Sequence, residues 1–303
     1  ILGGFGVFII RFQNRTARQI YVGAVVIVNM ILSLVAIFVA PKGQTVTLIP
    51  FTENYSIALR LDGMAVFFGF ILCTLWVVAT FYSFEYMKHE GKENKFFGFY
   101  TMSFGIAMGL AFSANLLTFY LFYELLTLGT LPLVMHAMNP QAQYAGKKYI
   151  VYSIGGAAFA FIAMVFMMYY GTSLDFTFGG VLDMLQVAGH EQWLLVVFVL
   201  AFFGFGVKAA VFPLSGWLPS AGVAPTPVTA LLHAVAVVNA GVYALVRLIY
   251  YTFGTEFLSG SWAQYVVMSA ALVTIVYGSS MALRTPHLKR RLAYSTVSNL
   301  SYM

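Results

Sequence analysis

The 303-residue chain is 61% hydrophobic and only 9% charged, with 16 Lys and Arg against 10 Asp and Glu. A soluble domain carries about 25% charged residues, so this chain cannot cover a globule in water with polar surface. Its apolar runs of about 20 residues suit helices that cross a bilayer core of about 30 Å, whereas a membrane β-barrel shows alternating segments of about ten. The single cysteine, Cys73, excludes an intrachain disulfide and a cysteine-ligated metal site. The composition predicts an all-α, polytopic transmembrane bundle.

Ten apolar runs predict about ten helices, and the first and last runs are cut short. In chain order they are 1–10, 20–40, 63–84, 96–112, 115–138, 149–171, 193–213, 226–251, 263–283 and 292–303. The longer connections, 41–62 and 172–192, contain alternating segments that predict short strands or surface helices. The chain starts without Met and ends inside an apolar segment, so we expect it to be truncated at both ends.

Basic residues in alternate loops predict the orientation. One set of loops carries twelve Lys and Arg, and the opposite set carries only Lys42 and Arg60. Because cytoplasmic loops are enriched in Lys and Arg, the richer set faces the cytoplasm. The net charge of +6 therefore indicates membrane topology rather than nucleic-acid binding. The twelve are Arg11, Arg15, Arg18, Lys88, Lys92, Lys95, Lys147, Lys148, Arg284, Lys289, Arg290 and Arg291.

Four ionisable residues lie inside predicted spans: Glu124, Lys208, His233 and Arg247. A charged side chain at mid-bilayer costs about 2.5–3.5 kcal/mol on insertion scales, so such groups usually pair, line water or move ions. Glu124 is either half of a Glu–Lys pair that tunes a proton carrier or a structural acid that holds two helices together. Arg247 lies about a turn from the outer helix end, which predicts an interfacial anchor.

Lys208 lies in a helix that its neighbours weaken. Gly204 and Gly206 precede it, and Pro213 follows it and removes a backbone donor. Interrupted membrane helices persist where freed backbone groups meet protein or water, which is common at transport sites. We therefore expect a broken helix in which the distance between Lys208 and Glu124 changes and a proton is loaded or released. A snorkelling lysine is the alternative, and the depth and the flanking glycines argue against it.

His233 follows a segment that contains Pro225 and Pro227. Imidazole titrates near neutral pH, so it can relay a proton. A lone helical histidine is more often a satisfied structural group, but the company of Glu124 and Lys208 favours the relay. The residues predict a proton path through these three side chains, and neither a catalytic nor a metal-binding residue.

The segment from Lys208 to Arg247 resembles the signature of the antiporter-like subunits. These are the large proton-pumping subunits of respiratory complex I and their relatives in Mrp-type Na⁺/H⁺ antiporters and membrane-bound hydrogenases. The signature is a broken helix with Lys, a Trp-Leu-Pro turn and the run Ala-Pro-Thr-Pro-Val-(Ser/Thr)-Ala-Leu-Leu-His. The matching segments here are Trp217 to Pro219, Ala224 to His233, Arg60 to Gly63, Asn115 to Leu125 and Leu288 to Thr296.

The resemblance implies five-helix units that recur as inverted repeats, each with a broken helix, here around 204–219. The N-terminal helices 1–3 would occupy residues 1–95, the first repeat would occupy 96–251, and 252–303 would be the incomplete start of the second. Accessory roles are expected of Asn239, Arg247 and Lys289.

The resemblance also implies that Glu124 tunes, Lys208 carries and His233 relays the proton. Three departures from the family pattern matter, and the mildest is Tyr123 in place of Trp before the buried Glu. Family members often have Asp after Trp-Leu-Pro, where this chain has Ser220, and relatives similar around Glu124 often carry Lys where Asn239 stands. If that Lys normally connects the two halves of the proton path, His233 must relay the proton without it.

These expectations favour a proton-translocating subunit of a redox-driven complex such as NADH:quinone oxidoreductase or a related hydrogenase. The chain would have no cofactor or catalytic chemistry of its own, and flavin, iron–sulfur clusters and quinone would belong to partner subunits. The alternative is a subunit of an Mrp-type Na⁺/H⁺ antiporter without redox partners. A third hypothesis is a membrane anchor, for which Glu124→Gln would lower stability but spare transport. We expect a bacterial inner-membrane protein that contacts lipid and other membrane subunits and moves H⁺, with Na⁺ as a second candidate ion.

Overall fold

Helices make up most of the computed structural model, which describes residues 1–10, 12–52 and 55–303. Arg11, assigned above to a cytoplasmic loop, lies outside the described residues. The helices in chain order are α1 Leu2–Ile10, α2 Arg15–Val39, α3 Gly63–Tyr86, α4 Glu93–Ala111, α5 Leu116–Val134, α6 Pro140–Tyr170, α7 Met184–Val187, α8 Glu191–Gly206, α9 Trp217–Ala221, α10 Thr226–Ala230, α11 Val237–Val246, α12 Thr255–Leu258, α13 Trp262–Arg284 and α14 Leu288–Leu300. A 3₁₀ turn covers Leu214–Gly216, and two π-helical segments cover Leu231–Val235 and Arg247–Phe253.

Each of the ten predicted apolar runs overlaps helical structure. Within the described residues, six helices are long and apolar enough to cross a membrane, and Glu191–Gly206 is a shorter apolar helix. These features confirm a polytopic helical membrane protein. The six are Arg15–Val39, Gly63–Tyr86, Leu116–Val134, Pro140–Tyr170, Thr226–Phe253 and Trp262–Arg284.

The connection between α2 and α3 forms the predicted strands. β1, Thr45–Pro50, pairs antiparallel with β2, Ser56–Arg60. β1 is exposed, whereas β2 contacts the start of α5, since the amide of Ala58 donates to Thr118 Oγ1 at 2.9 Å. The hairpin therefore lies at the end of the bundle where α5 begins, and the other long connection contributes the short helix α7.

α6 is longer than its apolar run predicted, because it begins at Pro140 rather than at 149. The side chain of Asn139 accepts a hydrogen bond from the amide of Ala142 at 2.7 Å and caps the helix, and proline suits its first turn. Its 31 residues span about 46 Å at 1.5 Å per residue. The polar first turns therefore extend the helix beyond a hydrocarbon core of about 30 Å.

α6 and α8 approach closely at two glycines. A Cβ atom on Gly156 would lie 2.6 Å from the carbonyl oxygen of Gly204, and one on Gly204 would lie 2.7 Å from that of Gly156. Small residues allow such contacts between membrane helices. This contact holds α8, which leads directly into the segment with Lys208, against the long helix α6.

Gly156→Ala is expected to destabilise the assembled protein. The added methyl group meets backbone atoms that cannot rotate away, and overpacking of this kind costs about 1–3 kcal/mol. Thermal stability in detergent, followed by fluorescence size-exclusion chromatography, measures the change. Gly155→Ala is the matched control, because its Cβ would meet no described atom within 4 Å. Equal melting temperatures for the two variants would contradict this account of the contact.

Candidate proton-transfer site

Lys208 is fully buried in the turn that follows α8. Its exposed fraction is 0%, its Nζ donates a hydrogen bond to the carbonyl oxygen of Tyr123, and the same atom lies 3.1 Å from the centre of the Tyr123 ring. A snorkelling lysine would reach water, which this side chain does not. The ammonium group is held at the residue that directly precedes Glu124.

The chain breaks after α8, as the glycines and proline predicted. Ala210 has a φ of +58°, and the 3₁₀ turn and α9 follow Pro213. Two side chains donate to carbonyl groups at the break: Tyr123 Oη donates to Phe205 O at 2.9 Å, and Trp217 Nε1 donates to Val207 O at 2.7 Å. The predicted turn residue Trp217 therefore stabilises the break itself.

Gly241 is a residue of the site that the sequence analysis missed. It lies in α11, and a Cβ there would be 2.6 Å from the carbonyl carbon of Lys208. The signal that could have identified it is a glycine inside an apolar helix, where it weakens the helix unless close packing requires it.

Glu124 is half-buried in the middle of α5. Among the described residues, its Oε1 atom is buried without a hydrogen-bond partner, and it forms no ion pair within 4.0 Å. The structure therefore brings Glu124 and Lys208 into the same region but not into contact. Lys208 contacts the neighbouring residue instead.

His233 lies in the π-helical segment Leu231–Val235, where the long helix is interrupted. Both ring nitrogens are buried without a hydrogen-bond partner among the described residues. Ala236, which follows, has φ −128° and ψ −62°, and Asn239 Nδ2 donates to the carbonyl of Ala234 at 2.7 Å. Asn239 therefore stabilises this second break. In the part of the chain that the structure describes, His233 forms no hydrogen bond with Glu124 or Lys208.

Two lysines hold the turn between α8 and α10, which the basic residues in alternate loops predict to be cytoplasmic. Lys289 Nζ donates to the carbonyl of Ala224 at 3.1 Å, and Lys148 Nζ donates to Ser220 Oγ at 3.2 Å. Ser220 also donates to the carbonyl of Gly216 at 3.0 Å. The serine that replaces the family's Asp thus remains part of a polar contact. The predicted turn residues lie in this segment: Pro219 in α9, Pro225 just before α10 and Pro227 within α10.

The prediction that Arg247 is an interfacial anchor was wrong. Its exposed fraction is 1%, and its guanidinium binds the carboxylate of Asp62 with two hydrogen bonds of 2.5 and 2.8 Å. Tyr243 Oη accepts from the same group at 2.6 Å. The guanidinium carbon also lies 4.6 Å from the Tyr251 ring centre and 4.8 Å from that of Phe176. A carboxylate and aromatic faces replace water around this charge.

Comparisons with known proteins cover nearly the whole chain. Residues 113–303 match the family model described as NADH:quinone oxidoreductase/Mrp antiporter, TM. Over 96% of its length the chain is 29% identical to a Na(+)/H(+) antiporter subunit of Alkalihalophilus pseudofirmus, covering 36% of that protein. It is 30% identical, also over 96% of its length, to the putative antiporter subunit mnhA2 of Staphylococcus aureus, covering 37%. The chain thus spans a little over a third of these curated relatives.

Two solved structures share the fold. The membrane-bound sulfane sulfur reductase, an archaeal respiratory membrane complex, has a chain that superposes with a TM-score of 0.81 at 21% identity, over 99% of this chain and 61% of that one. A chain of the Mrp complex from Dietzia sp. DQ12-45-1b superposes with a TM-score of 0.80 at 25% identity, over 95% of this chain and 31% of that one. The family match covers well over half of the chain. The chain belongs to the NADH:quinone oxidoreductase/Mrp antiporter family of membrane subunits.

Proposed function

We propose that the protein is an ion-translocating subunit of an Mrp-type multisubunit Na⁺/H⁺ antiporter of the bacterial inner membrane. The curated relatives named above support this choice, because they are antiporter subunits of bacteria. The sequence analysis placed a redox-driven pump first, and these relatives favour its alternative. Both functions use the same membrane fold, so the choice depends on the partner subunits.

The observation that carries the proposal is the burial of Lys208 at the break after α8. A charged group cut off from water is held only by a few contacts, here a carbonyl oxygen and an aromatic face, both of Tyr123, the residue before Glu124. Opposite unit charges attract by about 4 kcal/mol at 4 Å and by half that at 8 Å when the effective dielectric is about 20. A shift of a few ångströms between the Lys208 and Glu124 side chains therefore changes how tightly Lys208 holds its proton.

His233 supplies the next step of the proposed path. A neutral imidazole has one donor and one acceptor nitrogen, so it takes a proton on one side and gives one on the other. Both nitrogens are free of hydrogen bonds to the described residues, and the helix is broken at Ala236, directly after this segment. Protons would pass between Glu124, Lys208 and His233 while a counter-ion moves in the opposite direction.

Cation-driven proton exchange tests the proposal. Inverted membrane vesicles carrying the full-length complex are given an artificial pH gradient without any electron donor, and NaCl is then added. We expect Na⁺ to collapse the gradient, which a pH-sensitive dye reports. A gradient that is unaffected by Na⁺, with iron–sulfur absorbance and quinone-reactive subunits in the purified complex, would instead establish a redox-driven pump.

A further inference from the structure

Four buried hydroxyl groups lie between α5 and α6, next to the proposed path. Thr127 and Thr130 belong to α5, and Tyr149 and Ser153 belong to α6; none is more than 2% exposed. Thr130 Oγ1 and Tyr149 Oη share a hydrogen bond of 2.8 Å. Thr127 lies one turn before Thr130 on α5 and Ser153 one turn after Tyr149 on α6, and neither hydroxyl has a hydrogen-bond partner among the described residues. The four groups form one cluster, called here the hydroxyl cluster.

The hydroxyl cluster lies on the cytoplasmic side of Glu124. α5 runs from the outer surface to the cytoplasm if the lysine-rich loops are cytoplasmic. At 1.5 Å and 100° per residue, Thr127 lies about 4.5 Å nearer the cytoplasm than Glu124 and about 60° around the helix from it, whereas Thr130 lies about 9 Å nearer and about 120° around. Thr127 is therefore the cluster member next to Glu124 along α5, and the other members of the cluster follow towards the cytoplasm.

The other end of the hydroxyl cluster reaches the cytoplasmic turn. The Tyr149 ring packs against that of Trp217, with 5.0 Å between the ring centres. The preceding residue, Lys148, binds Ser220 in the same turn. The cluster thus lies between the turn that contains Ser220 and the part of α5 that carries Glu124.

Apolar side chains of the same shape would suit this helix contact better if it were only structural. A buried hydroxyl without a partner costs about 1–3 kcal/mol, and replacing both members of a buried polar pair by apolar groups of the same shape is nearly neutral or stabilising. Valine and phenylalanine have nearly the shapes of threonine and tyrosine. The presence of four hydroxyls at one contact therefore points to a use for them.

We propose that the hydroxyl cluster relays protons from the cytoplasmic turn to Glu124, an inference that rests on the proposed function. Each hydroxyl accepts a proton on its oxygen as it gives its own to the next group, so every O–H bond that breaks is replaced. One proton leaves water at the turn, and one proton converts the Glu124 carboxylate to the acid. No hydroxyl gains a net charge, and rotation of the hydroxyls resets the relay.

Paired variants of the full-length complex test this relay in the vesicle assay, with each rate divided by the amount of complex in the membrane. Thr130→Val keeps the shape and removes the hydroxyl, whereas Thr130→Ser keeps the hydroxyl. Tyr149→Phe is compared with Tyr100→Phe, which removes a buried phenol on α4 outside the cluster. We expect Thr130→Val and Tyr149→Phe to slow exchange by about tenfold or more, and the two partner variants to stay near the wild-type rate.

A solvent isotope measurement separates a relay from a structural role. When proton delivery becomes rate-limiting in Thr130→Val, the ratio of the rates in H₂O and D₂O should rise above the wild-type ratio, whereas a packing defect leaves it unchanged. Wild-type rates and ratios for both Thr130→Val and Tyr149→Phe would overturn the relay and leave the antiporter proposal intact. A wild-type complex that shows no Na⁺-driven exchange would overturn the proposed function and the relay with it.

Discussion

Replacing Lys208 by methionine is expected to reduce Na⁺-driven proton exchange by about 100-fold or more, the usual effect of losing a proton-transfer group. Methionine keeps the length of the side chain, so the packing of the turn changes little. It removes the ammonium group that, within the described residues, donates a hydrogen bond to the carbonyl oxygen of Tyr123, the residue before Glu124. Dye-reported exchange in vesicles measures the loss, normalised to the amount of assembled complex.

Two comparisons make this result specific. Lys88→Met removes a surface lysine that pairs with Glu85, and it should leave the exchange rate unchanged. Glu124→Gln should reduce exchange and leave the melting temperature near that of the wild type. If Lys208→Met transports normally, or if Glu124→Gln lowers stability and spares transport, the buried charges only hold helices together and the protein is a membrane anchor.

Arg247→Met is expected to cause the largest loss of stability. Removing one partner of a buried ion pair leaves an uncompensated charge and costs about 3–5 kcal/mol. The side chain of Asp62 is 21% exposed, so the lower end of that range applies. Thermal unfolding of the purified complex and its yield from membranes measure the effect.

The double variant Arg247→Met with Asp62→Asn is the control for this pair. It removes the uncompensated carboxylate, so it should recover part of the stability that Arg247→Met alone loses. If the double variant is less stable than the sum of the two single variants predicts, the two residues are not coupled in the way that their hydrogen bonds indicate.

The contribution of this ion pair to the free energy of unfolding should decrease as the pH falls into the acid range. Burial raises the pKa of the Asp62 carboxyl, but the hydrogen bonds and positive charge of Arg247 outweigh it and hold the pKa below its usual value. A carboxyl with a lowered folded-state pKa contributes its full stability above its unfolded pKa of about 3.9 and loses it as the pH falls through the folded value. The stability difference between wild type and Arg247→Met should therefore be constant near neutral pH and shrink only in acid.

The sequence predicted the features that depend on local pattern. Apolar runs of bilayer length predicted the helices, the glycines and proline around Lys208 predicted its break, and alternating residues predicted the hairpin. The division at 95 and 251 and the inverted repeats stay predictions. So do the roles of Glu124 and His233, because no contact between these residues and Lys208 follows from spacing along the chain.

The features that were missed depend on contacts between distant residues. Arg247 was interpreted from its depth alone, and its partner Asp62 is 185 positions away. The π-helical segment around His233 contains neither glycine nor proline, so no breaker marked it. Thr130 and Tyr149 meet only when α5 and α6 pack, and neither hydroxyl stands out in an apolar run.

Two π-helical segments interrupt the long helix between Thr226 and Phe253, and the two halves of this helix are held differently. Its outer part is clamped, since Arg247 holds Asp62 at the start of α3 and Tyr243 Oη donates to the carbonyl of Ala111 at 2.9 Å. Its inner part, with His233, is separated from that clamp by the break at Ala236. The half that contains His233 can therefore tilt about Ala236, while the half that contains Arg247 stays fixed. Backbone amide exchange should accordingly be faster before Ala236 than after it.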